Sequence, residues 1–338
     1  MDEFRPIERY ESVDDVLGSA ESRYFGAGYR SVQHRVFDVR IDTRNHIAAA
    51  FAEVIYPESW SSKPDQELTP HLSSIDGFVI ATQLMEAYLR EAYGLDDDSV
   101  RDCWIRKCSV KSGHTPTLEL THIPVALHLD GTRAEAGTLC GQLSEFSIAV
   151  GSLSLEISVD HALPVERRVR IAFADAECCL GEQSAHYLAG GYKSSRVTVS
   201  ELAVTQLASR ARAKFSVDYD KARAHSGLSA AHFPFLSIPD ALVGTAQLAQ
   251  ALLYRQDDIT RATSKNMWMR RFTVSIPQRA VPEPRFDVET WISQAHVLSV
   301  GGSQWRTAKF NVTLPSMTAV FALAHELPAT DAELAVAV

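Results

Sequence analysis

Residues 70–89, PHLSSIDGFVIATQLMEAYL, return 164 residues later as PFLSIPDALVGTAQLAQALL. In register the two share Leu72/Leu236, Ser73/Ser237, Asp76/Asp240, Val79/Val243, Gln83/Gln247 and Leu89/Leu253. The same spacing pairs CWIRKCSV (103–110) with MWMRRFTV (267–274), and also Phe146/Phe310, His161/His325, Leu163/Leu327 and Pro164/Pro328. A spacing of 163 pairs the lead-ins LGSAESRYFGAGYRS (17–31) and LGEQSAHYLAGGYKS (180–194). A phase held over most of the chain, at low identity, indicates two diverged units fused in tandem rather than an array of short repeats. We expect them at 1–170 and 171–338.

Each repeated stretch reads as one amphipathic helix. Ser73 with Asp76, and Ser237 with Asp240, have the spacing of a capping box. Positions 76, 79, 83 and 87 share a face at the 3.6 period, as do 240, 243, 247 and 251. Most other positions are apolar too, so each helix should be wrapped rather than laid on a surface. SVQHRVFDVRID (31–42) and HIAAAFAEVIY (46–56) alternate as strands before the first helix, with a loop over 57–70. CWIRKCSVKS, LELTHIPVALHLD and a stretch over 139–160 read as strands after it, and the second unit repeats the order. Residues 11–25 read as one or two short helices. Two strands, one long buried helix, then three or four strands is an α+β arrangement, an antiparallel sheet around a helix.

Composition narrows the partners. The net charge is −9 with no basic cluster, which argues against nucleic acid and anionic membrane. No apolar run reaches spanning length and the first residues lack a signal-peptide core, so a cytoplasmic setting is expected. Five cysteines show neither CxxC nor metal spacing and read as free thiols, so no metal is expected.

The element order resembles the hotdog fold, and its duplication a tandem (double) hotdog. AHFPFLSIPDALVGTAQLAQALL (231–253) is similar to the His-Phe-Pro loop and central helix of β-hydroxyacyl-ACP dehydratases, with His232, Phe233, Pro234, Leu248, Ala249 and Gln250 in place. Phe235 stands where that motif has glycine, and the catalytic glutamate falls on Thr245 or Ala246, or on Ala81 or Thr82 in the first copy. That family's His/Glu pair is therefore incomplete here. SVDDVLGSAESRYFGAGYRSVQH (12–34) resembles the start of the avirulence D (AvrD) family. The resemblance implies biosynthesis of syringolide-type acyl glycosides, in which a 3-oxoacyl chain joins a pentulose and cyclises. The architecture is also similar to the A-factor type γ-butyrolactone synthases.

On that reading the partners are an acyl-CoA or acyl-ACP thioester and a small sugar or hydroxyketone. No cofactor is implied, and a homodimer is compatible with it. Hydrolysis or dehydration of an acyl thioester, and non-catalytic acyl binding, are the alternatives. In a hotdog pair the two helices are expected side by side, with sites where the lead-in loop of one meets the body of the other. Histidine is the natural base near neutral pH. The expected catalytic pairing is His232 with Asp76 or Gln83, and His71 with Asp240 or Gln247 at the second site. Asp76 and Asp240 are equally explained as helix caps, and Gln83 and Gln247 as a buried amide network or as substrate contacts. Trp104/Trp268 and Arg106/Arg270 alternate on matched strands. They read either as sheet packing with a repeated ion pair, or as a binding surface for phosphate or carboxylate. His161 and His325 read as structural.

Overall fold

In a computed structural model, the described residues are all except 1–5, 64–65, 139, 163–164, 206–208, 221–223, 278–282 and 329–338. Leu163 and Pro164 of the repeat therefore lie outside them. In the first part of the chain the strands are β1 (Pro6–Ser12), β2 (Gln33–Asp42), β3 (Ile47–Ile55), β4 (Trp104–Ser112), β5 (Ile123–Ala134), β6 (Gln142–Val150), β7 (Leu153–His161) and β8 (Arg170–Asp175). They continue as β9 (Arg196–Thr205), β10 (Arg210–Asp218), β11 (Met267–Ser275), β12 (Arg285–Val300), β13 (Ser303–Leu314) and β14 (Met317–Glu326). The helices are α1 (Asp14–Leu17), α2 (Ser74–Tyr93), α3 (Asp97–Asp102), α4 (Glu177–Leu180) and α5 (Ile238–Gln256).

All the strands join one antiparallel sheet whose order is the same in both halves. One half runs β8-β2-β3-β5-β6-β7-β4, the other β1-β9-β10-β12-β13-β14-β11, and β4 meets β11 at the seam. There Val110 pairs with Phe272, Ser109 with Thr273 and Cys108 with Val274. Ser109 and Thr273 are themselves repeat equivalents, and their hydroxyls lie 3.0 Å apart. A pseudo-two-fold axis therefore passes between them, and each half sees the other in the same way.

Both capping boxes form. The Ser73 hydroxyl accepts from the Asp76 N–H while the Asp76 carboxylate accepts from the Ser73 N–H, and Ser237 and Asp240 do the same. Each long helix is buried along nearly its whole length. α2 packs on β2, β3, β5, β6 and β7, and α5 on β9, β10, β12 and β13. Such wrapping follows from helices with little polar surface to leave in water. α2 stops at Gly94, whose left-handed φ of 63° suits glycine. No helix among the described residues is long and apolar enough to cross a membrane.

The alternating stretch over 140–160 forms two of the expected strands, β6 and β7, which turn at Gly151, where φ is 52°. Two expectations are corrected. The two long helices make no extensive contact with each other; α1 packs against α5 and α4 against α2. β1 and β8, read from sequence as lead-in and linker, are edge strands, and they are exchanged. β1 joins β9 while β8 joins β2, so the equivalent segments each extend the sheet of the opposite half.

Candidate active site

Between the start of α2 and the body of α5 lies a cavity of about 730 Å³. Leu72, Leu153, Met267, Met269 and Leu323 make its apolar side. His71 enters from the loop before α2, its ring centroid 4.8 Å from that of Trp268 and its Nδ1 3.3 Å from the Thr69 carbonyl oxygen. Arg270 lies two residues beyond Trp268 on β11, and both line the cavity. Ser73 and Ser74 bring the N-terminus of α2 to the wall, where N–H groups and the helix dipole favour negative charge. Across from them stand Ala246 and Gln250 of α5. Arg23 and Tyr24 of the lead-in, with Trp60 of the loop after β3, close the side. Gly28 allows that approach, because a Cβ there would lie 1.7 Å from the Trp60 carbonyl oxygen.

The structure separates the residues expected to act together. His232 is buried away from the cavity lining; its Nε2 lies 2.9 Å from the Asp102 carbonyl oxygen and its ring packs on Trp104 at 5.2 Å. Asp76 is instead held by His34 Nε2 at 2.8 Å, by the Tyr56 hydroxyl and by the Ser73 N–H. Gln83 accepts from Gln183 at 3.2 Å, and Gln247 from Arg23 at 2.8 Å. Both glutamines also donate to carbonyls of their own helices. They therefore tie each long helix to the opposite lead-in, and neither lines the cavity. Asp240 bonds the Ser195 and Ser237 hydroxyls, each at 2.6 Å, and not His71. Of the matched strand residues, Trp268 and Arg270 reach the cavity, whereas Trp104 is buried and Arg106 lies 3.9 Å from buried Asp160. His161 and His325 are buried, His161 on Ser144 at 2.7 Å and His325 on Asp257 at 2.9 Å.

A cavity built by two repeat units, with a histidine and a helix start at one wall, invites comparison with known proteins. Residues 8–328 match the family described as Pseudomonas avirulence D protein (AvrD). The chain belongs to this family. No curated protein matches it. Among solved structures it is similar to the tesB protein MAP1729c of Mycobacterium avium subs paratuberculosis, at 11% identity and TM-score 0.36, covering 83% of this chain and 93% of that one. It is similar to acyl-CoA thioesterase II TesB2 from Mycobacterium marinum at 12% identity and TM-score 0.35, covering 76% and 88%. A MaoC-like dehydratase is similar at 8% identity and TM-score 0.34, covering 78% and 86%.

In this AvrD-family chain the pseudo-equivalent of the cavity is filled. Phe235, the counterpart of His71, packs 5.1 Å from Trp104, the counterpart of Trp268. Tyr187 lies 5.0 Å from Phe235 and 5.6 Å from Phe233, and His225 lies 4.6 Å from Phe233. Behind them His186, at the register of Arg23, sits 2.7 Å from Glu86, at the register of Gln250. Glu86 also accepts from Arg90 and from the Leu228 N–H, each at 3.0 Å. Burial pushes the Glu86 carboxyl up, but the His186 hydrogen bond and charge, with Arg90 and Leu228, outweigh it and hold it below the usual range.

The two capping carboxylates differ for the same local reason. Burial raises both, but at Asp76 the hydrogen bond and charge of His34, with Tyr56 and Ser73, outweigh it and keep the carboxyl below its ordinary value. Asp240 has only the Ser195 and Ser237 hydroxyls and the Ser237 N–H, and burial pushes it up to about 6. Val197 stands at the register of His34 and cannot supply the missing partner. On the open side the Tyr56 hydroxyl is shared between Asp76 and the His71 carbonyl oxygen, 2.9 Å away. The cap, His34 and the His71 backbone thus form one connected unit.

Proposed function

We propose that this AvrD-family chain is a double-hotdog enzyme that transfers a 3-oxoacyl chain from a thioester to a hydroxyl of a small sugar or hydroxyketone. Its units divide near residue 170 and exchange their lead-in strands. The observation that carries this reading is the cavity between them. It has an apolar side for an acyl chain, a helix N-terminus for a carbonyl oxygen and His71 beside both.

In this reading the thioester carbonyl oxygen faces the free N–H groups at the start of α2, which stabilise the negative charge that develops on it. His71 takes the proton of the acceptor hydroxyl as its oxygen attacks the carbonyl carbon. The C–S bond breaks, and the departing thiolate takes the proton back from His71. In the ester so formed, the acidic carbon between the two carbonyls can attack the acceptor's own ketone, and loss of water closes a butenolide-type ring, in line with a syringolide-type product. Trp268 and Arg270 flank the reacting groups. Tyr56 and Asp76 position His71 through its backbone carbonyl.

The test is incubation with 3-oxoacyl thioesters and a panel of ketoses, with products read by mass. Acceptor-dependent formation of the acylated or cyclised product is expected, and it should be lost in His71→Ala. Consumption of thioester to free acid at the same rate without acceptor would make hydrolysis the activity instead. No consumption under any condition would leave an acyl-binding protein.

A further inference from the structure

The chain carries a net charge of −9, yet five cations line the cavity and, among the described residues, no aspartate or glutamate does. Two of the five are balanced nearby, Lys265 by Glu326 at 2.6 Å and Arg23 by Asp14. Among the described residues the other three are not. Lys63 Nζ donates, among the described residues, only to neutral oxygens: the Ser264 carbonyl at 2.8 Å, the Ser264 hydroxyl at 3.0 Å and the Lys265 carbonyl at 3.4 Å. Arg261 Nη2 donates to the Ser22 and Ser62 carbonyls at 2.7 and 2.6 Å and to the Ser61 hydroxyl at 3.2 Å. Arg270 has no hydrogen bond or ion pair among the described residues.

Half-buried cations without counter-ions are costly, and burial together with Arg261 holds the Lys63 amine down to about 8. The filled half shows that this is no general habit of the fold. There Arg106 faces Asp160, His186 faces Glu86, and Arg90 bridges Glu86 and Asp97. Within the cavity, three lining cations keep no counter-ion among the described residues. A 3-oxoacyl thioester and a free ketose are both neutral at their reacting ends, so neither explains it.

We propose that Lys63, Arg261 and Arg270 form a phosphate subsite, which takes a phosphate or diphosphate group borne by a substrate. Three separated cations, two of them guanidinium forks, suit a multiply charged oxyanion better than one carboxylate. The group belongs either to the thioester's carrier or to a phosphorylated acceptor. The assignment to a substrate rests on the acyl-transfer reading of the cavity; the subsite itself does not.

The experiment is calorimetric titration of the full chain with inorganic phosphate, pyrophosphate, coenzyme A and a pentulose 5-phosphate, with acetate and the unphosphorylated pentulose as controls. At least one phosphorylated probe should bind, weaken as salt rises, and weaken by about tenfold or more in Arg261→Gln and in Arg270→Gln. Tighter binding of coenzyme A points to the carrier and of the pentulose phosphate to the acceptor, and either supports the subsite. Arg270 has no hydrogen-bond or ion-pair partner among the described residues whose loss would unfold the chain, so Arg270→Gln decides if Arg261→Gln misfolds. No saturable binding by any of the four, binding matched by acetate, or affinity unchanged in the folded variants would overturn it. Binding is read without turnover, so the subsite stands even if the chain hydrolyses thioesters. Acyl transfer to a free ketose with no phosphate binding would overturn the subsite alone.

Discussion

At the start of α2 the loop delivers His71 against Trp268, and the space beyond is hollow. At the start of α5 the same position is Phe235 against Trp104, and Tyr187, Phe233 and His225 fill the space. The backbone plan, the strand order and the capping boxes are common to both regions. What differs is side-chain volume and charge placed on that plan. Duplication gives two equivalent seams, and one can be packed shut for stability while the other keeps polar, strained or unneutralised groups for chemistry. On the closed side Glu86 lies 2.7 Å from His186 and accepts from Arg90 and the Leu228 N–H, whereas Arg261 and Arg270 on the open side have no counter-ion among the described residues.

The largest effect should separate the two histidines. His71→Ala is expected to lower turnover by about 10²–10⁴-fold with an unchanged melting temperature, the range for losing a general base. His232→Ala should lower the melting temperature and leave turnover per folded molecule intact. Steady-state rates and thermal melts of both variants would break the comparison if His232→Ala were the inactive one.

Next in size is Glu86→Ala, which leaves buried His186 without its carboxylate and Arg90 with Asp97 alone. Removing one partner of a buried pair costs about 3–5 kcal/mol, to be read from urea unfolding. A loss within error of zero would mean the closed side is not the sealed structural core described here.

The capping carboxylates offer a subtler contrast. Folded Asp240 holds its proton up to about 6, whereas in the unfolded chain it is lost near the ordinary value of 3.8. Between those two pH values the folded state binds more protons, so this group's contribution to stability falls as pH rises, by about 3 kcal/mol across the window. Asp76, held low, has the opposite sense: its contribution is present above the ordinary carboxyl range and fades as pH drops below it. Unfolding free energies of wild type and Asp240→Asn between pH 4 and pH 7 check this. The variant should gain on the wild type as pH rises, and parallel curves would contradict the assignment. Smallest is the seam itself, where Thr273→Val removes one hydroxyl contact with Ser109 and should cost about 1 kcal/mol by the same unfolding assay.

Much of the plan is legible from residue order, because capping boxes and strand alternation are local patterns. Ser73 with Asp76 and Ser237 with Asp240 fix two helix starts, and constant spacing makes the halves equivalent. β1 and β8 escape such reading because each is defined by a partner on the far half, β9 or β2. The network at Asp76 is equally non-local. His34 and Tyr56 come from β2 and from the residue after β3, and nothing in their neighbourhoods marks them as partners. His232 stands out in sequence through its His-Phe-Pro setting, yet the aromatic residues around it enclose it. Which seam is hollow depends on volumes summed from four segments, and no pairwise register shows that sum. The sequence does carry one signal: Glu86 and Arg23 stand where their repeat counterparts are Gln250 and His186, so the two seams differ in charge.

The most direct test of the central claim is a crystal structure with a non-hydrolysable 3-oxoacyl thioester analogue. One analogue per chain is expected in the cavity, its carbonyl at the start of α2 and its tail toward Met267 and Leu323, with Phe235 undisturbed. An analogue seated between His232 and Trp104, with the aromatic cluster displaced, would contradict the account.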